Sequence, residues 1–172
     1  MEKTSAKKPR IYEKPSQTMA VVVSKGDPNA TGEIVFPALY GAVFGLKMAM
    51  KKSGAGDLKV TGLRARWPDA HLLPKNEWTA IWALPIPDGT TEVPQKVKSP
   101  EVCVDIFEYG KVAEILHIGP YSEEGPIIEA LHKFIDESGY DIAGVHEEEY
   151  VTSPEAKIQK TLIRYQVRHK SG

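Results

Sequence analysis

One cysteine, Cys103, stands in 172 residues, and this excludes an internal disulfide. Neither sign of charge dominates. The 22 Lys and Arg against 23 Asp and Glu leave a formal net charge of −1, so bulk electrostatics provides no attraction to nucleic acid. No uninterrupted apolar run reaches the ~18 residues of a spanning helix. The opening stretch, MEKTSAKKPRIYEKPSQ, is basic but has no apolar core of a secretory signal. Gly-rich phosphate loops of the GxGxxG or GxxxxGK kind are missing. His71, His117, His132, His146 and His169 show no metal-ligand spacing, and HEEEY has Tyr150 where a zinc protease would need its second histidine. The expectation is a cytoplasmic protein with no cofactor, no metal, no membrane contact and no direct nucleic-acid binding.

What is present suits a packed domain: 41% hydrophobic and 26% charged residues. Residues 1–16 are polar and hold two prolines, predicting a loose arm. QTMAVVVSKG (Gln17 to Gly26) predicts a β-branched strand closed by the turn KGDPN. A helix follows over TGEIVFPALYGAVFGLKMAMKKSG, with Leu39, Val43, Leu46 and Met50 at helical spacing and a Lys-Lys-Ser-Gly stop. Pro37 fits that helix only in its first turn or two. LKVTGLRARW (Leu58 to Trp67) and EWTAIWALPI (Glu77 to Ile86) predict strands, and Pro87 to Pro100 predicts a linker. The pattern then recurs. VCVDIFEYGKVAEILHIGPY holds strand material on either side of Tyr109-Gly110. SEEGPIIEALHKFIDESGY predicts a helix with Ile127, Leu131, Phe134 and Ile135 as its apolar stripe, and Ser122, with Gly125 and Pro126, as its cap. DIAGVHEEEYV and QKTLIRYQV predict two more strands. The expected fold class is therefore α+β: duplicated β-α-β-β units, pseudo-twofold, with antiparallel sheets and a ligand cleft between the repeats. Repeat one spans about 17–86, the linker 87–100 and repeat two about 101–168, within a single domain over 17–170.

Alternation along strands selects candidate residues. Trp78 and Trp82 share one face of their strand, and Trp67 closes the strand before it. In HEEEYV, His146, Glu148 and Tyr150 share a face, and Glu147, Glu149 and Val151 share the other. At most one face of that strand meets water, so Glu148 is expected to point inward and Glu147 to matter little for binding. A buried carboxylate amid aromatics has a raised pKa and can hold a cation or move a proton, while aromatic faces favour flat or cationic molecules. The competing reading makes the three tryptophans ordinary core and all three glutamates surface. Tyr121, in HIGPYSEEG, is either a site phenol or a packed turn residue. Cys103 lies in an alternating strand and is expected to be buried.

KGDPN, ALYGAVFGLKM, AEILHIGPYSEEGPIIEALHKFIDESGY and HEEEYV with TLIRYQV together resemble the GyrI-like small-molecule-binding domain, the effector-binding domain of AraC- and MerR-type multidrug-sensing regulators. The resemblance runs from about Pro9 to Arg168 and is nearest to the stand-alone subgroup. It implies a cleft lined by aromatics with a glutamate at its base, here Glu148, and it places Tyr121 and Tyr40 nearby. Some stand-alone relatives are similar to hydrolases that open the cyclopropane ring of DNA-alkylating natural products. In that case Glu148 would orient water. The run TGLRARW departs from their EGLWW pattern, with Thr61 in the place of the acid.

Three functions follow. The first is a binding protein that senses or sequesters flat, cationic aromatic compounds, with Glu148, Tyr121, Tyr40, Trp67, Trp78, Trp82, Tyr150 and His146 lining the site. The second is a hydrolase of strained rings using Glu148. The third is a protein-interaction role such as inhibition of DNA gyrase, through the acidic runs at Glu123-Glu124 and Glu147 to Glu149. The few residues before the first strand leave no room for a helix-turn-helix.

Overall fold

A computed structural model describes residues 5–153 and 155–171, with side chains from residue 7 onward. In chain order the elements are β1 (Ser5–Ala6), β2 (Arg10–Lys14), β3 (Gln17–Lys25), α1 (Pro28–Ser53), β4 (Arg64–Arg66), β5 (Thr79–Pro85), β6 (Cys103–Phe107), β7 (Gly110–Ile118), α2 (Gly125–Glu137), β8 (Tyr140–Ile142), β9 (Glu147–Tyr150) and β10 (Lys160–His169). The chain divides into two compact units, one of Ser16–Glu108 and one of Met1–Pro15 with Tyr109–Gly172.

In the first unit the strand order is β4-β5-β3-β6, all antiparallel neighbours. In the second, β9-β10-β7 form the centre, with β1 and β2 on the far side of β7 and β8 against β10. The duplication is visible in this order. Each unit has a strand, a helix and two further strands, and in each the last strand pairs with the first and the middle one on its two sides. The fold is α+β with antiparallel pairing throughout, as the sequence pattern predicts.

Helix α1 begins earlier than its apolar pattern suggests. Asp27 caps it, its carboxylate accepting the Asn29 N–H at 2.9 Å, and Pro28 takes the first position, where no N–H is needed. KGDPN is therefore a helix start rather than a turn between elements. Pro37 consequently lies past the first two turns, inside the helix. It is exposed there, on the side where water can serve a carbonyl left without its donor. Gly54, at φ 73°, closes the helix in the left-handed conformation. By length and composition α1 would reach across a membrane. Its Val35, Ala38, Leu39, Ala42 and Val43 are buried in the unit's core, with α1 packed on β3 and β5.

Several expectations are corrected. Only Arg64–Arg66 of the expected strand Leu58–Trp67 pairs, because Gly62 takes φ 76° and turns the chain out of extended geometry. The stretch 87–100 is no free linker. Val93 is buried, Gln95 both accepts from the Val102 N–H at 2.9 Å and donates to the Val102 carbonyl at 2.8 Å, and Pro94 and Lys96 lie over Gly41 and Gly45 of α1. Strand β6 belongs with the first unit, since it pairs with β3. Cys103, at the start of this outermost strand, is exposed rather than buried. The expected loose arm also pairs: β2 adds to β7 from Arg10↔Glu114 to Lys14↔Gly110. Ile11 joins the apolar cluster there, and Arg10 and Tyr12 reach Glu114. The part of that arm in residues 1–4 lies outside the described residues.

In the second unit α2 lays Leu131 and Ile135 against Ala113, Ile115, Ile163, Tyr165 and Val167, with Ile127 and Phe134 half-buried beside them. This is the predicted stripe. Full burial of such side chains is worth about 1.5–3 kcal/mol each.

Candidate functional site

Alternation sorts the second unit's sheet into two faces. The register aligns His117 with Thr161 and Thr161 with Tyr150, and in the next row Ile115 with Ile163 and Ile163 with Glu148. These residues share the α2 face with Tyr165. The other face carries Glu114, Arg164, Glu147 and Glu149.

That other face is an ion network. Arg164, 2% exposed, donates from Nη1 to Glu147 at 2.6 Å, from Nε and Nη2 to Glu114 at 2.8 and 2.5 Å, and from Nη2 to Glu149 at 3.2 Å. Arg10 and Tyr12 donate to Glu114, and the Tyr109 hydroxyl donates to Glu147 at 3.0 Å. Burial would raise the Glu114 pKa, but Arg164 and the donors from Arg10, Arg164 and Tyr12 hold it below the ordinary value. Burial likewise opposes the charge of Arg164, and Glu147 and Glu114 outweigh it and push the guanidinium up. Glu147, on the face expected to matter little for binding, is buried and held by Arg164 and Tyr109.

The α2 face is different. Glu148 is 6% exposed. Its Oε2 lies 3.5 Å from the Tyr150 hydroxyl, which donates to it, and 3.7 Å from His146 Nε2. No donor reaches its Oε1. Tyr121 meets Tyr150 edge-on at 5.6 Å between ring centroids. Tyr121 is 39% exposed, so it forms the outer part of the group. His146, Glu148, Tyr150 and Tyr121 are thus brought together as the alternation and the resemblance implied.

Four residues that sequence reasoning missed complete the group. Tyr165 is hydrogen-bonded to His146 Nδ1 at 2.7 Å. His117, fully buried, donates from Nε2 to the Pro120 carbonyl at 3.0 Å. Its Nδ1 is buried with no partner. Thr161 Oγ1 is buried without a partner as well. Glu124 occupies the N-cap position of α2, after a 3-10 turn at Tyr121–Glu123, so Ser122 is not the cap. The Glu124 carboxyl lies within hydrogen-bonding reach of Glu148, and its Oε1 is buried with no donor. The alternation Thr161, Ile163, Tyr165 in β10 could have indicated two of these residues. Nothing in the run Glu123-Glu124 marks one of the pair as buried.

The electrostatics follow from burial. Glu124 is pushed up to about 9 by desolvation, by its hydrogen bond to Glu148 and by repulsion from that carboxylate. Burial also raises Glu148, with hydrogen bonds from Glu124 and Tyr150 pulling the other way. Burial holds His146 below its usual value, against the pull of Glu124 and Glu147. Tyr150 is raised, and Tyr165 goes up to about 12, both chiefly by burial and then by the Glu148 charge. A neutral imidazole and protonated phenols therefore surround a carboxyl pair. Among the described residues, no cluster of three or more His, Cys, Asp or Glu is arranged for a metal ion.

Tyr40, Trp67, Trp78 and Trp82 belong to the first unit. Trp82 is a core residue, 5% exposed, packed edge-on against Phe36 at 5.1 Å and Trp67 at 6.1 Å, with Nε1 donating to Ser24. Trp78 donates to the Leu73 carbonyl. Tyr40 is half-buried between Phe36 and Phe44, and desolvation raises its phenol.

Residues 7–170 match the family model of the GyrI-like small molecule binding domain. Among solved structures the chain is similar to an uncharacterized conserved protein from Listeria innocua, at 25% identity and a TM-score of 0.83, covering 94% of this chain and 92% of that one. It is also similar to a hydrolase from Listeria innocua, at 24% identity and a TM-score of 0.81 with the same coverage. The C-terminal domain of EcmrR shares the fold at 13% identity and a TM-score of 0.61, over 95% of this chain and 98% of that domain. No curated protein sequence matches it. With the family model spanning nearly its whole length and the sheet order carrying the duplication, the chain belongs to the GyrI-like small-molecule-binding domain family.

Proposed function

We propose that this chain binds flat organic cations at the Glu148 site, sensing or sequestering them. The observation that carries the reading is the Glu148 carboxylate itself, almost fully buried, with Oε1 reached by no protein donor. A buried carboxylate is costly unless something neutralises it. A cation beside it recovers that cost, and the faces of Tyr121 and Tyr150 add cation–π attraction. Tyr165 fixes His146, which turns a ring edge toward the same carboxylate. In the first unit, Trp82 serves packing and Trp78 a backbone hydrogen bond.

The test uses N-methylacridinium, a planar cation with no titratable proton, beside acridine at a pH where it is neutral. Binding is followed by tryptophan and ligand fluorescence, and ligand mass is checked afterwards. The expected result is saturable binding that favours the cation, with ligand mass unchanged. Equal affinity for both compounds would remove the charge-recognition reading. In parallel, a cyclopropane-containing alkylator recovered heavier by one water, with turnover lost in Glu148→Gln, would make the site hydrolytic instead.

A further inference from the structure

Glu148 does not stand alone in the site. Across from it, the turn before α2 brings in Glu124, and the two carboxyls lie within hydrogen-bonding reach of each other. Two ionised carboxylates at that distance repel and have no hydrogen to share, so a proton on one of them is what makes the contact favourable. The remaining geometry agrees. Glu124 Oε1 and Glu148 Oε1 are both buried, and no other protein donor reaches either. Further unpartnered polar atoms surround them on the same sheet face: the Nδ1 of the fully buried His117 and the Thr161 hydroxyl, whose row in the register ends at Tyr150. Buried polar atoms without partners are rare in folded proteins. Their concentration around two carboxyls marks a surface shaped for something the chain itself does not supply.

We propose that Glu124 is the second carboxyl of the ligand site, that the pair holds one proton between its two carboxyls, and that an organic cation entering the site expels this proton. This rests on the cation-binding reading above. In the free protein the Glu124 acid donates to the Glu148 carboxylate, and the pair carries a single negative charge. When the cation arrives, the Glu124 O–H bond breaks, the proton passes to solvent, and two carboxylates face the ligand. The groups facing the pair set how readily this occurs. They are Tyr121 in the turn before α2, Tyr150 on β9, Tyr165 on β10, His117 on β7 and His146 just before β9, with His132 of α2 packed on Tyr165. The phenols keep their protons and can only donate to a charge. Burial holds His146 and His132 below their ordinary values. The raised Glu124 agrees with this arrangement. The ligand class follows: planar cations whose charge is permanent, or amines protonated at neutral pH, with neutral aromatics discriminated against because they displace nothing.

Two measurements test this on the whole chain. The first needs no ligand. Infrared spectra of the free protein at neutral pH should show a protonated-carboxyl C=O stretch that is absent in Glu124→Gln, with circular dichroism showing both proteins folded. A spectrum without that band, or a band that survives in Glu124→Gln, overturns the shared proton. The second is the affinity for N-methylacridinium between pH ~6 and ~8, where release of one proton tightens binding toward tenfold per pH unit. In Glu124→Gln, whose amide mimics the protonated acid and cannot supply the second charge, binding should be weaker at the alkaline end and that slope gone. A flat profile in the wild type overturns the displacement, and so does a slope unchanged in Glu124→Gln, which would belong to another group. If the band is present but the wild type binds no N-methylacridinium, the cation-binding reading fails and displacement with it, while the protonated pair stands.

Discussion

Glu147 binds Arg164 at 2.6 Å, whereas Glu148, the next residue and almost equally buried, has an oxygen that no donor reaches. One residue step in β9 separates a carboxylate that is neutralised within the fold from one with a buried oxygen that no donor reaches. The alternation of the strand does this, because consecutive side chains enter opposite faces.

The first consequence concerns selectivity. Glu148→Gln should weaken N-methylacridinium by roughly 10- to 100-fold, the worth of a charge-assisted contact, and leave neutral acridine within a few-fold. Fluorescence titration decides it, and parallel losses for both ligands would mean that the residue only shapes the site.

On the opposite face the expected effect is on stability. Arg164→Met leaves Glu114, Glu147 and Glu149 without their cation and should cost about 3–5 kcal/mol, or prevent folding. Glu147→Gln removes one of several partners and should cost less. Urea denaturation measures both. If Arg164→Met were neutral, the network would contribute nothing to stability.

A third expectation is a stability profile with two limbs. The raised Glu124, from 4.5 to about 9, means that the folded chain binds more protons than the unfolded one between those values. Stability should therefore fall as pH rises through that window, and Glu124→Gln should flatten the fall. Glu114 has the opposite sign: its lowered carboxyl contributes stability that is present above about 4.5, its ordinary value, and is lost as pH falls below the folded value. Thermal melts across pH would read both limbs.

The strap over α1 gives a fourth. Gln95→Ala removes both hydrogen bonds to the Val102 backbone and should destabilise by about 1–2 kcal/mol. Hydrogen exchange at the Val102 amide should rise with it. Unchanged protection there would show the strap to be held by Val93 alone.

The sequence by itself determined the order of the main strands and helices and the stripe of α2, because period-2 and period-3.6 patterns are properties of consecutive residues. It also singled out Glu148, since alternation beside His146 and Tyr150 is local, and the resemblance pointed to the same residue. Three things were decided only in the folded chain. Arg10 and Tyr12 join a sheet because β7 offers them Glu114, far away in sequence. Glu147 is buried because Arg164 sits opposite it in register. Glu124 becomes half of a carboxyl pair because the turn before α2 delivers it to Glu148. Burial of a charge depends on which partner arrives from elsewhere in the chain, and a run of glutamates carries no local sign of that partner.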